Sequence, residues 1–391
     1  MANTQTSGAA GGFSNIAVIG FGLIGASFAA SVRSTWPDVN VLAVDVDART
    51  RAEALSRGWA TQDACGADDP KLSAFLENGC DLVVLAVPVG FAEEYLSLIA
   101  RVGYAGIVTD VSSTKSRIVA LAEKTLSRPR NFVPGHPMAG SERNGIDGAR
   151  EGLFKGAYWI LCPDSDTPAE HFTRLHELVT GLGARVISLP REQHDNAVAI
   201  VSHVPHVVAS SLVELASRHA DRQQSLMRLA AGGFKDTTRI AAGSPALWCG
   251  ISFDNKDAIV AGLKEFQGIV GQFVDALESD DRAGLTDLLA EAAGARRALP
   301  AAWVPSTERL LEVRVPMRDH PGAVAEVTAI TSNVGCNIQS IEIDHVTESS
   351  AVLSLVLTDE GDFGKLSSHL IDAGYSVSLN PLSPKEHIHV D

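Results

Sequence analysis

Residues 15–25 read NIAVIGFGLIG, a short apolar run followed by three glycines with the spacing GxGxxG. The residues that follow place apolar side chains at helical spacing. A strand that turns sharply into a helix leaves bare backbone N–H groups at the positive end of the helix dipole, where a pyrophosphate can bind. We therefore predict a dinucleotide site formed by Gly20, Gly22, Leu23, Ile24 and Gly25. The alternative is a glycine-rich turn in another kind of α/β protein.

A second apolar stretch, residues 39–44, ends in Asp45, twenty residues after Gly25. A carboxylate at this distance is suited to bind a ribose 2′-hydroxyl, and it would repel the 2′-phosphate of NADP. The expected cofactor is therefore NAD. Arg49 and Arg51 lie close by in the sequence, so NADP stays open as an alternative.

Composition and charge limit the class of protein. The 391 residues are 45% hydrophobic and carry a net charge of −15, which predicts a globular chain of two or three domains with no nucleic-acid or membrane partner. The five cysteines contain no CxxC pair, and the first residues lack the order of a signal peptide. We expect a cytoplasmic protein and assign no metal ion.

The pattern of elements changes along the chain. Residues 1–13 look like a flexible terminus, and residues 14–190 alternate strand and helix patterns, which predicts a doubly wound Rossmann-type domain that binds NAD. Residues 191–300 carry only helical patterns, some of them apolar around most of the helix. Such helices must be buried by neighbours or by another subunit, so we expect an all-α substrate and dimerisation domain and a homodimer.

The C-terminal part has a different pattern. After a linker at residues 301–309, residues 310–380 show the order βαββαβ, which predicts a small antiparallel sheet with two helices on one face. Residues 381–391 are expected to form a loose tail.

Two polar clusters follow predicted strands of the first domain, where ligands bind in such sheets. Residues 111–116 read VSSTKS, and Ser112 or Ser113 could simply cap a helix. Residues 135–145 read GHPMAGSERNG, a predicted loop around His136. Histidine titrates near neutral pH and can take a proton from a hydroxyl as its carbon is oxidised. We favour catalysis over a merely solvated histidine.

Two further clusters fall in the helical part. His203 and His206 in SHVPH could bind a metal pair, but hydrogen bonding to substrate or between subunits is favoured. Lys235 and Arg239 in GGFKDTTRIA share one helix face, which favours an anion site over a solvated face. Trp248 could line the same pocket or pack in the core.

The GFGLIG turn, VSSTKS, GHPMAGSERNG, SHVPH and GGFKDTTRIA, in this order and spacing, resemble the prephenate/arogenate dehydrogenases of tyrosine biosynthesis. The resemblance covers about residues 15–280. Residues 310–379 resemble an ACT domain, with RDHPG at 318–322 and GCNI at 335–338 at its turns.

The resemblance implies NAD-dependent oxidative decarboxylation of prephenate. It implies that His136 accepts the hydroxyl proton, that Ser113 orients His136 or the hydroxyl, and that Arg239 and Lys235 hold substrate carboxylate, with His206 and Glu142 nearby. For the ACT-like domain it implies an amino-acid effector such as tyrosine, which we expect to bind at His320, Pro321, Gly322, Ala323 and Asn337. The alternatives are arogenate as substrate, a reductase of β-hydroxy acids, a non-catalytic metabolite sensor, and a purely structural ACT module.

Overall fold

The computed structural model describes residues 10–141, 143, 145–220, 230–298, 310–318, 320, 322–347, 350–358 and 361–382. The chain divides into two compact units at Val270, and each unit is described by itself below.

The first unit is built on a six-stranded parallel sheet with the order β3-β2-β1-β4-β5-β6, which is the Rossmann order. This confirms the predicted fold class. Its strands are β1 (Asn15–Ile19), β2 (Asn40–Val44), β3 (Gln62–Ala64), β4 (Leu82–Leu85), β5 (Ile107–Asp110) and β6 (Phe132–Val133). The helices between them are α1 (Leu23–Thr35), α2 (Ala48–Ser56), α3 (Pro70–Glu77), α4 (Ala92–Arg101) and α5 (Ser116–Thr125).

The sheet is buried on both faces because side chains alternate along each strand. In β1, Ile16 and Val18 join the core that contains Phe28 of α1, whereas Ala17 and Ile19 join a separate core on the opposite face. All four side chains are fully buried. The continuous apolar run at the start of the chain is thus explained by a central strand.

A second, three-stranded sheet extends this domain, formed by β7 (Gly135–Pro137), β8 (Tyr158–Leu161) and β9 (Arg185–Ser188) in the order β7-β8-β9, with α6 (Ala169–Gly181) before β9. The strand patterns predicted within residues 14–190 include β8 and β9, whereas β7 was expected to belong to a loop and the break after β6 was not expected. Pro134 separates β6 from β7, and proline has no N–H to donate to a strand ladder. The predicted loop around His136 is therefore wrong at that residue, which pairs with Ile160 in β8.

The N-terminal segment is packed from residue 10 onwards, although residues 1–13 were expected to be flexible. Phe13 is fully buried, and the Arg174 guanidinium lies 4.4 Å from its ring centroid. The same guanidinium donates to the carbonyl oxygens of Gly11 and Gly12. Residues 1–9 lie outside the described part of the chain.

Beyond β9 the first unit is helical. Its elements are α7 (Arg191–Val198), a π-helical turn (Ala199–His203), α8 (Val204–Ala220), α9 (Gly232–Thr238), a 3₁₀ turn (Arg239–Ala242), α10 (Pro245–Asp254) and α11 (Lys256–Glu278), which crosses into the second unit. The continuous helix 191–219 is long and apolar enough to cross a membrane by length and composition alone. It carries His194, Asp195, His203 and His206 on buried positions, as the interior helix of a folded domain can.

The second unit contains α12 (Arg282–Ala298) and a four-stranded antiparallel sheet with the order β11-β12-β10-β13. Its elements are β10 (Leu310–Arg318), α13 (Ala323–Asn333), β11 (Ile338–Thr347), β12 (Ser350–Leu357), α14 (Phe363–Asp372) and β13 (Ser378–Leu382). The order is βαββαβ, as the sequence pattern predicts. The last strand includes residues 381 and 382, which were expected to belong to the tail.

Candidate active site

The turn between β1 and α1 has the backbone that a dinucleotide requires. Gly20 has φ +93°, and a Cβ there would lie 2.6 Å from the carbonyl oxygen of Ala86. A Cβ on Gly25 would lie 2.0 Å from the carbonyl oxygen of Gly20, so the helix can approach the strand only with glycine at this position. A Cβ on Gly22 would meet no atom within 4 Å, so that side of the turn is open. These residues fit a bound pyrophosphate.

The first helical turn leaves its donors available. Gly22 caps α1 without a side-chain hydrogen bond, and the first turn of α1, which begins with Leu23 and Ile24, has no acidic residue. The backbone N–H groups at this helix N-terminus are therefore suited to bind phosphate oxygens.

Asp45 is fixed beside this turn. One carboxylate oxygen accepts from the N–H of Phe21 at 2.8 Å and the other from the N–H of Asp47 at 2.9 Å. A carboxylate has about four acceptor positions, so it can still accept ribose hydroxyls. Arg51 points elsewhere, since it donates to the carbonyl oxygens of Asp45 and Val46 and pairs with Asp63 at 3.2 Å. The arrangement favours NAD.

A buried ion pair holds the backbone around His136. Lys115 and Asp110 are both fully buried and form a hydrogen-bonded salt bridge. The Lys115 ammonium also donates to the carbonyl oxygen of Gly135 at 2.6 Å, and the Asp110 carboxylate accepts from the N–H of Gly135 at 3.1 Å. The residue that precedes His136 is thus held through both of its polar backbone groups.

His136 itself is held by a chain of hydrogen bonds that the sequence did not reveal. Its Nδ1 lies 2.8 Å from Nε2 of His194, and Nδ1 of His194 lies 2.9 Å from the carboxylate of Asp195. Asp195 also accepts from the N–H groups of Lys115 and Ser116 at 2.8 and 2.7 Å. In the described part of the chain, Nε2 of His136 makes no hydrogen bond.

The position of His136 suits chemistry on a bound dinucleotide. β7 is attached to the carboxyl end of β5, and β4 alone separates β5 from β1 in the sheet. The histidine and the glycine turn therefore lie at the same edge, with β1 and β5 roughly 10 Å apart at the usual strand spacing. Ser113 lies half-buried in the turn that follows β5.

Burial sets the charge of these groups. It lowers the pKa of His136 well below the usual value, and the positive charge of Lys115 lowers it further. Burial would raise the pKa of Asp195, but hydrogen bonds from His194, Ser116 and Lys115 outweigh it and bring that pKa to about 2. His136 is therefore a neutral base near pH 7, with an ionised carboxylate behind its partner.

The π-helical turn brings two more histidines to the buried side of the helix. His203 lies 3.2 Å from the amide nitrogen of Asn255, which also donates to the carbonyl oxygen of Asp195 at 2.7 Å. The ring of His206 stacks on Trp248 with centroids 3.5 Å apart. Burial lowers the pKa of His203 to about 4 and also lowers that of His206. π-helical turns occur often at functional sites.

A cavity of about 750 Å³ opens between α8, the 3₁₀ turn and α10, and His206 and Trp248 line it. Nδ1 of His206 is buried and has no hydrogen-bond partner within the described residues. An unpaired buried polar atom is costly, so a ligand atom that bonds to it would be stabilised.

The cationic pair sits at the edge of this region. Lys235 and Arg239 are both exposed, and they are not among the described residues that line the cavity. The 3₁₀ turn that begins with Arg239 leads to Gly243, where a Cβ would lie 2.6 Å from Nε1 of Trp248. The structure thus links the predicted anion site to the His206–Trp248 stack through this turn.

The remaining predicted residues lie elsewhere. Glu142 falls outside the described residues, as does Pro321 in the second unit. In that unit His320 and Asn337 are exposed, and Gly322 has φ +96° at the residue that caps α13, next to the buried Ala323.

Sequence reasoning missed His194, Asp195 and Asn255. The adjacent His-Asp pair at the start of the helical part was a usable signal, because an imidazole beside a carboxylate is a common way to orient a base. Asn255 gave no such signal.

A Rossmann sheet with an open glycine turn, an acid after β2 and a half-buried neutral histidine at the carboxyl edge define an NAD-dependent dehydrogenase. Residues 28–188 match the prephenate dehydrogenase nucleotide-binding domain, and residues 190–291 match the prephenate dehydrogenase dimerization domain. The chain belongs to the prephenate dehydrogenase family.

Individual relatives agree with this family. The chain is 31% identical over 363 residues to a prephenate dehydrogenase of Bacillus subtilis, an alignment that covers 92% of this chain and 95% of the relative. A crystal structure of prephenate dehydrogenase from A. aeolicus, in complex with hydroxyphenyl propionate and NAD+, has a TM-score of 0.69 at 26% identity and covers 74% of this chain and 99% of that one. The structure of Synechocystis arogenate dehydrogenase has a TM-score of 0.62 at 28% identity and covers 72% of this chain and 99% of that one.

Proposed function

We propose that this chain catalyses the NAD-dependent oxidative decarboxylation of prephenate to 4-hydroxyphenylpyruvate in tyrosine biosynthesis. The observation that carries the proposal is His136 at the carboxyl edge of a dinucleotide-binding sheet, with its Nδ1 fixed by His194 and its Nε2 without a hydrogen bond from any described residue. Family membership supplies the substrate class.

The reaction needs a base that works reversibly. Prephenate carries a ring hydroxyl at C4 and a ring carboxylate at C1. When bound, the nicotinamide accepts the hydride from C4. Nε2 of His136 accepts the hydroxyl proton as C4 gains carbonyl character. Loss of CO2 from C1 then leaves its electron pair in the ring, the ring becomes aromatic, and the oxygen takes the proton back from His136. No proton is released overall.

The substrate carboxylates need cations, and the chain as a whole is acidic. We assign Arg239 and Lys235 to these carboxylates, because both are exposed on the same short helical segment. Nδ1 of His206 is buried and has no partner among the described residues, so it is suited to bind a polar group of the substrate side chain. Glu142 and Ser113 complete the proposed set, with Ser113 bound to the ring hydroxyl.

The test is NADH formation by the purified protein with prephenate and NAD, with arogenate in parallel. Arogenate differs only in the side chain, where an amino acid group replaces the pyruvyl keto group, so it is the second candidate substrate. We expect His136→Asn to lower kcat about 10²- to 10⁴-fold with little change in prephenate binding. His176→Asn on α6 is the matched control. Turnover by His136→Asn equal to that of the wild type would exclude His136 as the base.

We further propose a homodimer that assembles through the helical part, in the cytoplasm. The match of residues 190–291 to a dimerization domain supports the dimer. All five cysteines are unpaired, as in a reducing compartment.

The second unit is proposed to bind an aromatic amino acid such as tyrosine, which lowers activity. Asn337 and His320 are exposed, and His320 lies two residues before the αL turn at Gly322, so both side chains are accessible to a ligand. Tyrosine should inhibit the wild type and inhibit Asn337→Ala at least about tenfold less strongly, which corresponds to a loss of about 1.4 kcal/mol in effector binding. Asn333→Ala, at the end of α13, is the control. Equal inhibition of all three proteins would contradict this role.

A further inference from the structure

The hydrogen bonds behind His136 fix which nitrogen carries each proton. The Asp195 carboxylate can only accept, so Nδ1 of His194 must carry a hydrogen and donate it. A neutral His194 then has a lone pair on Nε2, and Nδ1 of His136 must donate to it. This leaves the lone pair of His136 on Nε2, the nitrogen that has no partner within the described residues.

The surroundings of His136 oppose a positive charge on its ring. Burial lowers the pKa of His136 most, the ammonium of Lys115 just before α5 and the rings of His194 and His203 lower it further, and Asp195 raises it. His194 is fully buried and Asp195 nearly so, at 4% exposure. The Asp195 carboxylate contacts the His194 ring directly at 2.9 Å, whereas His136 contacts no carboxylate among the described residues.

We propose that His194 and Asp195 form a proton relay behind His136. This inference rests on the proposed function. As the substrate O–H bond breaks, its proton binds Nε2 of His136, and the Nδ1 proton of His136 passes to Nε2 of His194. His136 is then neutral with its proton on Nε2, and His194 is an imidazolium held between His136 and Asp195. When the aromatic oxygen needs its proton, both transfers run in reverse.

His136 is the catalytic residue in this scheme, and His194 and Asp195 are positioning residues that act through it. The relay differs from a purely structural hydrogen bond in one respect, because only a side chain that can itself be protonated can carry it. Glutamine separates the two roles. Its amide oxygen can accept from Nδ1 of His136, but it cannot take up the proton.

The experiment compares the wild type, His194→Gln and the control His176→Gln, a half-buried histidine on α6 that contacts Thr180 of its own helix. We expect kcat of His194→Gln with prephenate to fall about 100-fold, whereas the Kd for NAD and the KM for prephenate change less than about threefold. The acid limb of the kcat profile should move to lower pH, since the base loses the support of Asp195. His176→Gln should match the wild type in all four readouts.

The ¹⁵N resonances of labelled histidines give a readout that needs neither substrate nor a variant at position 194. In the wild type without ligands at pH 7.5, the signal that disappears in His136→Asn should show a protonated Nδ1 and an unprotonated Nε2. A protonated Nε2 would overturn the relay. The relay would also be overturned if kcat of His194→Gln stayed within about threefold of the wild-type value, or if its affinity for NAD fell by the same factor as its kcat. A wild type that oxidises neither prephenate nor arogenate would refute the proposed function, while the tautomer would still be measured independently.

Discussion

Among single residues, Lys115 has a large expected effect on stability. Its ammonium is fully buried with the Asp110 carboxylate, so removal of either partner leaves an unpaired charge in the interior. We expect Lys115→Met to lower the free energy of unfolding by about 3–5 kcal/mol, measured by urea unfolding. Lys124→Met, on an exposed site of α5, the helix that follows Lys115, should stay within about 0.5 kcal/mol of the wild type. If Lys115→Met and Lys124→Met unfold with the same free energy, the buried ion pair does not contribute to stability.

Asp45 is a single residue that we expect to decide between NAD and NADP. We expect Asp45→Ala to raise the KM for NAD about tenfold, the equivalent of one charge-assisted hydrogen bond, and to lower the KM for NADP. Asp38→Ala, an exposed acid just before β2, is the control. If Asp45→Ala keeps the NAD preference of the wild type, another residue must bind the ribose hydroxyls.

At the scale of elements, the sequence predicts what is determined locally. The glycine turn and Asp45 were identified from their spacing alone, because only a short stretch of chain lies between β1 and the end of β2. His136 was identified but placed in a loop, because its pairing with Ile160 depends on a strand more than twenty residues away. His194 lies 58 residues from His136, and no local pattern reports a contact of that range.

The π-helical turn determines the direction in which His203 and His206 point. One extra residue in a helix rotates everything beyond it by about 100° relative to the residues before it. Deletion of Val201, which is 67% exposed, should restore an α-helix and turn His203 and His206 away from His194. We expect kcat to fall at least about 100-fold with the helical circular dichroism unchanged, whereas Val201→Ala should retain activity. Full activity of the deletion variant would show that the π turn is dispensable.

For the whole molecule, the buried groups predict a loss of stability in mild acid. The pKa of His203 is about 4 in the folded chain, against 6.5 when unfolded, so below pH 6.5 the unfolded chain binds a proton that the folded chain does not. The contribution of His203 alone should lower the free energy of unfolding by up to about 1.4 kcal/mol per pH unit as the pH falls from 6.5 to 4. Asp195 stabilises the folded chain fully above pH 3.8, and this contribution is lost as the pH falls towards 2.

Urea unfolding at several pH values measures this loss. His203→Gln should show a flatter decline between pH 6.5 and 5 than the wild type, because it lacks the titrating ring. A stability that stays constant from pH 7.5 to 5 would contradict neutral burial of the histidines. The same neutral burial predicts that the acid limb of kcat/KM, which reports the free enzyme, lies below pH 6.5.

Assembly is the remaining property of the whole molecule. On α11, Phe266, Ile269 and Val270 are 36–45% exposed at the spacing of one helix face, and such a stripe is unfavourable in water. A second copy that covers this face would remove it from solvent, in line with the dimerization match. Phe266→Glu places a charge in that contact, so we expect light scattering to report a monomer, whereas Glu265→Ala at the neighbouring exposed position stays dimeric. If Phe266→Glu remains dimeric at micromolar concentration, the two copies must meet through another face of the helical part.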